Sequence, residues 1–393
     1  MKTLRLIFLG IAIGLGAALL LPYLQEEWSD TPETLQPQPE ISVPENGIVS
    51  DAFSLQLFRA ALERSEEKGS VVVAPLCTTE WLNDLANNFC GDAARKQIEQ
   101  LKPSSRDVNI HRCMELGAML AADDSLHFAP NDAFVLRVPF ARNFPFASEL
   151  FFSLSGEMSH PPTRKTNLIS PETRLMGAMA TEIQAQWLRP FYTADTKKDD
   201  FNNADGRMPQ VDMMRCRNAF RVAQANDGSW QAAALFLAAA KEDKGKAPLA
   251  LIVILPQGDT RAFAQQLTPE QLSAIRESLV KAPYTDTKVT LPRMSIRPVA
   301  DDISPLLQQV GVTAPFDIRQ ADFTPMFSDK IAMNGVVEYL SLLFEESPEQ
   351  HPKDSSIEQE GGMDFTVNRP FIWILGDLTT DTPPYAMGMV ENL

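Results

Sequence analysis

Positive charge is scarce in this 393-residue chain: 35 lysines and arginines stand against 51 aspartates and glutamates, a formal net charge of −16 at pH 7. Such a surface repels a phosphate backbone, and no basic stripe interrupts it, so nucleic acid is not expected as a partner. Histidine and cysteine are few, four of each. His111, His127, His160 and His351 are scattered, with no His-x-x-x-His pair and no Gly-x-Ser-x-Gly elbow in the chain. Metalloprotease and hydrolase chemistry therefore find no support. Cys77, Cys90, Cys113 and Cys216 include no Cys-x-x-Cys pair, which leaves zinc-binding and thioredoxin-like readings unsupported. Three complete disulfide pairings and a set of buried free thiols stay open. No catalytic residue, metal site or cofactor is expected, and no internal repeat is visible.

What is present suits a globular body. Apolar residues make up 44% of the chain and charged residues 22%, enough for a sizeable core. Residues 1–24 differ from the rest. Lys2 and Arg5 precede an apolar run from Leu6 to Leu21, and Glu26 and Glu27 follow it. Basic residues before the run and acidic ones after it predict a cytoplasmic N-terminus and an exported body, with the membrane crossed by residues 6–22. An uncleaved anchor and a signal peptide cut after Gly16-Ala17-Ala18 are both compatible with this pattern. The body is then membrane-anchored on the periplasmic or extracellular side, or secreted. Residues 25–50 are rich in Pro, Glu, Gln and Ser and predict an extended linker. A single domain is expected over 51–393.

Within that domain, Phe53, Leu57 and Ala61 fall at helical spacing, and Val71-Val72-Val73 reads as a short buried strand. Helices are expected over 77–89, 93–101, 263–279 and 303–310. The unbroken apolar run Leu249 to Leu255, closed by Pro256, predicts a strand buried on both faces. Further strands are expected over 288–294, 336–340, 371–375 and 385–390. Helices early and strands late indicate an α+β fold.

Several of these segments, in this order, resemble the serpin family of serine protease inhibitors. Trp187-Leu188-Arg189-Pro190-Phe191 is similar to the family's Trp-x-x-Pro-Phe segment, and Val211 through Met213-Met214 to Phe220 to its paired-methionine strand. Leu255-Pro256, Leu291-Pro292-Arg293-Met294, Asn368-Arg369-Pro370-Phe371 and Met387-Gly388 fit later blocks, and Val73-Ala74-Pro75 an early one. The match runs from about residue 51 to the C-terminus. It implies the serpin fold, a multi-sheet mixed β core with surrounding helices and a reactive-centre loop near the C-terminus. Departures accompany it. Ala74 and Cys77 replace the serines of Ser-Pro-x-Ser, Met179 an asparagine and Met333 a buried histidine. Between Asp124 and Trp187 the chain is short, so the helix that crosses the main sheet is expected to shrink to the vicinity of Arg164-Lys165-Thr166-Asn167. Trp187 is expected as a packing anchor at the top of that sheet.

The resemblance implies a protease inhibitor whose loop, once cut, inserts into the main sheet as a new central strand. Here the hinge falls on Ser341 to Pro348, with Leu343 where Gly is expected, Phe344 for Thr, and Glu346, Ser347 and Pro348 for alanines. If even-numbered positions face inward, Glu346 is buried without a visible partner, at a cost on the order of several kcal/mol. Pro348 and Pro352 each remove a ladder donor. Insertion is therefore not expected, and the chain is read as a non-inhibitory binder on the serpin scaffold. The other reading is an inhibitor of serine or cysteine endopeptidases that offers residues 345–362 as bait. From Glu345 to Glu360 that loop carries six acids and one Lys353. The candidate bait bonds are at Lys353 or around Ile357, Glu358 and Gln359. The expected partner is an extracytoplasmic protease or another protein.

Overall fold

The computed structural model describes residues 37–45, 47–48, 52–65, 70–101, 110–129, 135–154, 163–164, 169–348, 361–380 and 382–393. The helices are α1 (Ala52–Arg64), α2 (Pro75–Asp84), α3 (Asp92–Leu101), α4 (Phe144–Leu154), α5 (Thr260–Gln266), α6 (Pro269–Lys281) and α7 (Ser304–Gln309). The early strands are β1 (Val71–Val73), β2 (Met114–Asp123), β3 (Val135–Val138), β4 (Thr163–Arg164), β5 (Leu175–Gln186), β6 (Lys197–Asp200), β7 (Gln210–Gln224) and β8 (Trp230–Phe236). They are followed by β9 (Leu249–Pro256), β10 (Tyr284–Pro292), β11 (Ser295–Asp302), β12 (Gly335–Glu345), β13 (Met363–Thr366), β14 (Phe371–Asp377) and β15 (Ala386–Val390).

The strands form two sheets. One has the order β3-β2-β5-β12-β11-β4; the other runs β1-β15-β14-β9-β8-β7-β10-β13, with β6 added on β7. All eight residues of β9 are buried, as an apolar run without alternation requires. At the centre of the six-stranded sheet, β5 and β12 pair in parallel from Met176↔Gly335 to Gln186↔Glu345. No other strand lies between them, so this seam is closed along its whole length.

β12 shows why the sheet is buried on both sides. Val336, Leu340, Leu342 and Phe344 join the main core with α2, whereas Val337 and Tyr339 join a smaller cluster with Ala147 and Phe151 of α4. Helix α2 lies close enough to β5 that a Cβ on Gly177 would sit 2.5 Å from the Trp81 ring, so only glycine fits there. Met179 and Met333, which replace polar residues of the family pattern, are buried in the same apolar core.

Three expectations are corrected. The helix across the six-stranded sheet is α4, at Phe144–Leu154, where Pro145 occupies the first turn and Ala147 and Phe151 point inward one turn apart. The segment expected to be helical instead begins with β4, whose Thr163 and Arg164 pair with Val299 and Ala300 of β11, while Lys165, Thr166 and Asn167 lie outside the described residues. The single helix expected over 263–279 is two. A capping box, in which Thr268 and Gln271 satisfy each other's backbone N–H, starts α6 afresh at Pro269.

The third concerns the linker. Residues 37–45 and 47–48 are packed on the body rather than a free spacer. The Gln38 side chain donates to the Ala219 carbonyl at 2.7 Å, the Tyr284 hydroxyl donates to the Pro39 carbonyl at 2.8 Å, and Ile48 is buried. Residues 1–36 lie outside the described residues; among those that are described, no helix is long and apolar enough to cross a membrane.

Candidate functional site

The two ends of the acidic loop leave and rejoin the body at pinned positions. On the departing side, Ser341 is buried and pairs with Glu182, and Leu343 is exposed. Phe344 is 4% exposed. Its ring stacks on Trp187 with centroids 5.1 Å apart, and Phe191 meets that indole edge-on at 5.2 Å. Trp187 thus holds the last turn inward of β12 under an aromatic stack, each pair of which adds about 0.5–1.5 kcal/mol beyond burial.

The chain beyond β12 stays tied to the body. The Ser347 N–H donates to the Phe191 carbonyl at 2.8 Å, and the Thr193 N–H donates to the Ser347 carbonyl at 3.0 Å. Glu346 points inward, as the even-position rule predicts, and with the loop outside the sheet it has partners. Arg293 Nε donates to its carboxylate at 2.6 Å, and the Thr196 hydroxyl bonds the other oxygen. Arg293 follows the proline that closes β10, and its backbone N–H is held by the Asp212 carbonyl at 2.8 Å. Pro348 is exposed.

On the returning side, Gly361 and Gly362 both take positive φ, +98° and +79°. Arg217 forks onto the Asp286 carboxylate, with Nη2 at 2.7 Å and Nε at 3.1 Å, and also donates to the Gly361 carbonyl. A side chain on Gly362 would collide with the Asp286 carbonyl 2.8 Å away. From there β13 enters the second sheet parallel to β10. Lys353, Ile357, Glu358 and Gln359 lie outside the described residues.

No cysteine is paired: Cys77, Cys90 and Cys216 are buried and Cys113 is half-buried, all as free thiols. Cys77 directs its sulfur at the Gly117 and Ala180 carbonyls, 3.5 and 3.6 Å away, and burial pushes its thiol up to about 12. It is a packing residue, not a nucleophile. Among the described residues no cluster of His, Cys, Asp and Glu is arranged to hold a metal ion.

Sequence reasoning reached Trp187 and the hinge but missed Arg293, Thr196 and Arg217. Their roles depend on the segments around β6, β7 and β10 meeting the loop ends, and the family blocks contain Thr196 and Arg293 without announcing those roles.

A family model described as "Serpin (serine protease inhibitor)" matches residues 164–393. Serine protease inhibitor 88Ea of Drosophila melanogaster is 23% identical over 226 residues, covering 54% of this chain and 53% of that protein. Serpin B11 of Mus musculus is 25% identical over 217 residues, 53% and 54% of the two chains. The chain thus spans about half the length of the curated relatives it matches. Among solved structures, SRPN18 from Anopheles gambiae superposes with a TM-score of 0.70 at 20% identity over 87% of this chain and 96% of its own. Uncleaved ovalbumin does so with a TM-score of 0.71 at 16% identity, over 88% and 98%. Sheet order, strand register and the matched block lead to one conclusion: the chain belongs to the serpin family.

Proposed function

We propose that this serpin acts by binding, through a loop that does not insert into its own sheet. The observation that carries the reading is the hinge. For the loop to fold back between β5 and β12, Phe344 and Glu345 must leave their ladder partners Ala185 and Gln186. Phe344 must also leave the Trp187 stack, and Glu346 must give up Arg293 and Thr196. The same residues then have to occupy the interior of a central strand, with Pro348 and Pro352 missing from its ladder. Each of these changes opposes insertion, and of the side chains from 343 to 348 only Ser347 is small.

Protease inhibition with the loop as bait is the second reading, favoured by the family itself and by the exposed position at which the loop leaves the body, at Pro348. A panel of serine and cysteine proteases separates the two. The binding reading expects the loop to be cut, if at all, with turnover and with no covalent, denaturant-resistant adduct. An adduct with any protease of the panel contradicts it.

We place the body outside the cytoplasm, tethered through residues 6–22, on the strength of Lys2 and Arg5 before the apolar run and Glu26 and Glu27 after it. Membranes washed at high pH are expected to retain full-length protein with Met1 intact. A soluble form that starts after Ala18 would show a cleaved signal instead.

A further inference from the structure

Along the inward face of β12, the row Val336, Glu338, Leu340, Leu342, Phe344 contains one acid among four apolar residues. Glu338 is 7% exposed and sits beside the β5–β12 seam, in register with Met179 of β5. Directly across the antiparallel ladder stands Asp301 of β11, so two carboxyl groups occupy opposing positions of neighbouring strands. Like charges so placed repel. Helix α2 closes the pocket from above with Thr78 and Cys77, and Glu80 lies farther along the same helix; β5 supplies the neutral Thr181. Among the described residues the charged group that acts on Glu338 is Asp301.

Thr78 is fully buried, and its hydroxyl lies 3.0 Å from the Ala74 carbonyl and also bonds Glu338. That bond favours the carboxylate, but burial and the Asp301 charge act more strongly in the other direction. The second oxygen, Oε1, has no partner among the described residues. That omission is tolerable for a neutral acid and costly for a buried carboxylate.

We propose that Glu338, with Asp301 opposite it, is a proton-controlled latch on the seam between β5 and β12. With a proton on Glu338, α2 and the two strands close over it; without one, the buried charge is relieved only when the seam opens to water. The latch acts on the sheet itself and does not depend on how the loop functions. Burial and the Asp301 charge push the Glu338 carboxyl up to about 8 from its ordinary 4.5. In the open seam, in contact with water, it titrates near the ordinary value. The closed state therefore binds a proton that the open state has already lost, and its advantage is complete below pH 4.5 and declines until pH passes 8. The neighbouring Cys77 thiol, raised to about 12, stays neutral throughout and adds no competing titration.

Amide exchange on the full chain between pH 5 and 9.5 tests this. Peptides from Leu175–Gln186 and Gly335–Glu345 are compared with Leu249–Pro256 in the other sheet, which cancels the intrinsic acceleration of exchange with pH. The opening constant of the seam is expected to rise by up to about tenfold per pH unit to about pH 8 and then level off. Glu338→Gln, which copies the neutral acid, should abolish the rise. Asp301→Asn should move the plateau to lower pH, because it removes the repulsion and leaves Glu338 in place. If Glu338→Gln keeps the full rise, or if the wild-type seam follows the reference strand at every pH, the latch is wrong. An unshifted plateau in Asp301→Asn contradicts it as well, and that variant remains informative should Glu338→Gln fail to fold.

Discussion

Trp187→Ala is expected to lower the stability of the protein by about 3–5 kcal/mol, the range for deleting a large buried aromatic side chain. The indole is 4% exposed and contacts both Phe191 and Phe344, so its removal leaves a cavity lined by two rings. The surroundings have little room to collapse. On one side, Trp187 bridges to Leu237, and on the other the Ser347 N–H is fastened to the Phe191 carbonyl. The loss should also loosen the hinge, so proteolysis between Phe344 and Pro348 should accelerate along with the fall in the denaturation midpoint. Chemical denaturation followed by fluorescence checks the first effect. A loss below about 1 kcal/mol would mean that Trp187 is not what holds the end of β12.

Much of this architecture was legible one strand at a time. The Leu249–Leu255 run could only be a strand buried on both faces, and the inward orientation of even positions in β12 followed from the period of two. The hinge substitutions were visible as soon as Val337-Glu338 set the register. Partners were another matter. The partners that Glu346 has outside the sheet, Arg293 and Thr196, stand 53 and 150 residues away in the chain. Nothing local to residue 346 announces them.

Helix α4 escaped for a different reason. Phe-Pro-Phe-Ala-Ser-Glu-Leu-Phe-Phe-Ser-Leu is apolar on nearly every side, so no stripe marks its buried face, and Phe146 is 52% exposed. The packing of 37–45 and 47–48 escaped because their composition is that of a free linker, while their anchoring comes from Ala219, Tyr284 and Glu277 on the body. Glu338 was used only to set the register of the hinge. Its meaning depends on Asp301 across the ladder, which is not a neighbour in sequence.

The central claim is that the hinge keeps the loop out of the sheet, and the fate of the cut loop decides it. Insertion would add a full strand between β5 and β12 and raise the thermal midpoint by tens of degrees, because a chain of this size moves only a few degrees per kcal/mol. Against that gain stand the burial of Glu346 away from Arg293, a bulky Leu343 and Phe344 at positions suited to small residues, and ladder gaps at Pro348 and Pro352. The measurement is a thermal melt of intact protein beside protein nicked at Lys353. The account predicts midpoints within a few degrees of each other and unchanged pairing of Met176–Gln186 with Gly335–Glu345. A rise of tens of degrees after nicking would contradict it, since the loop would then have entered the sheet in spite of its hinge.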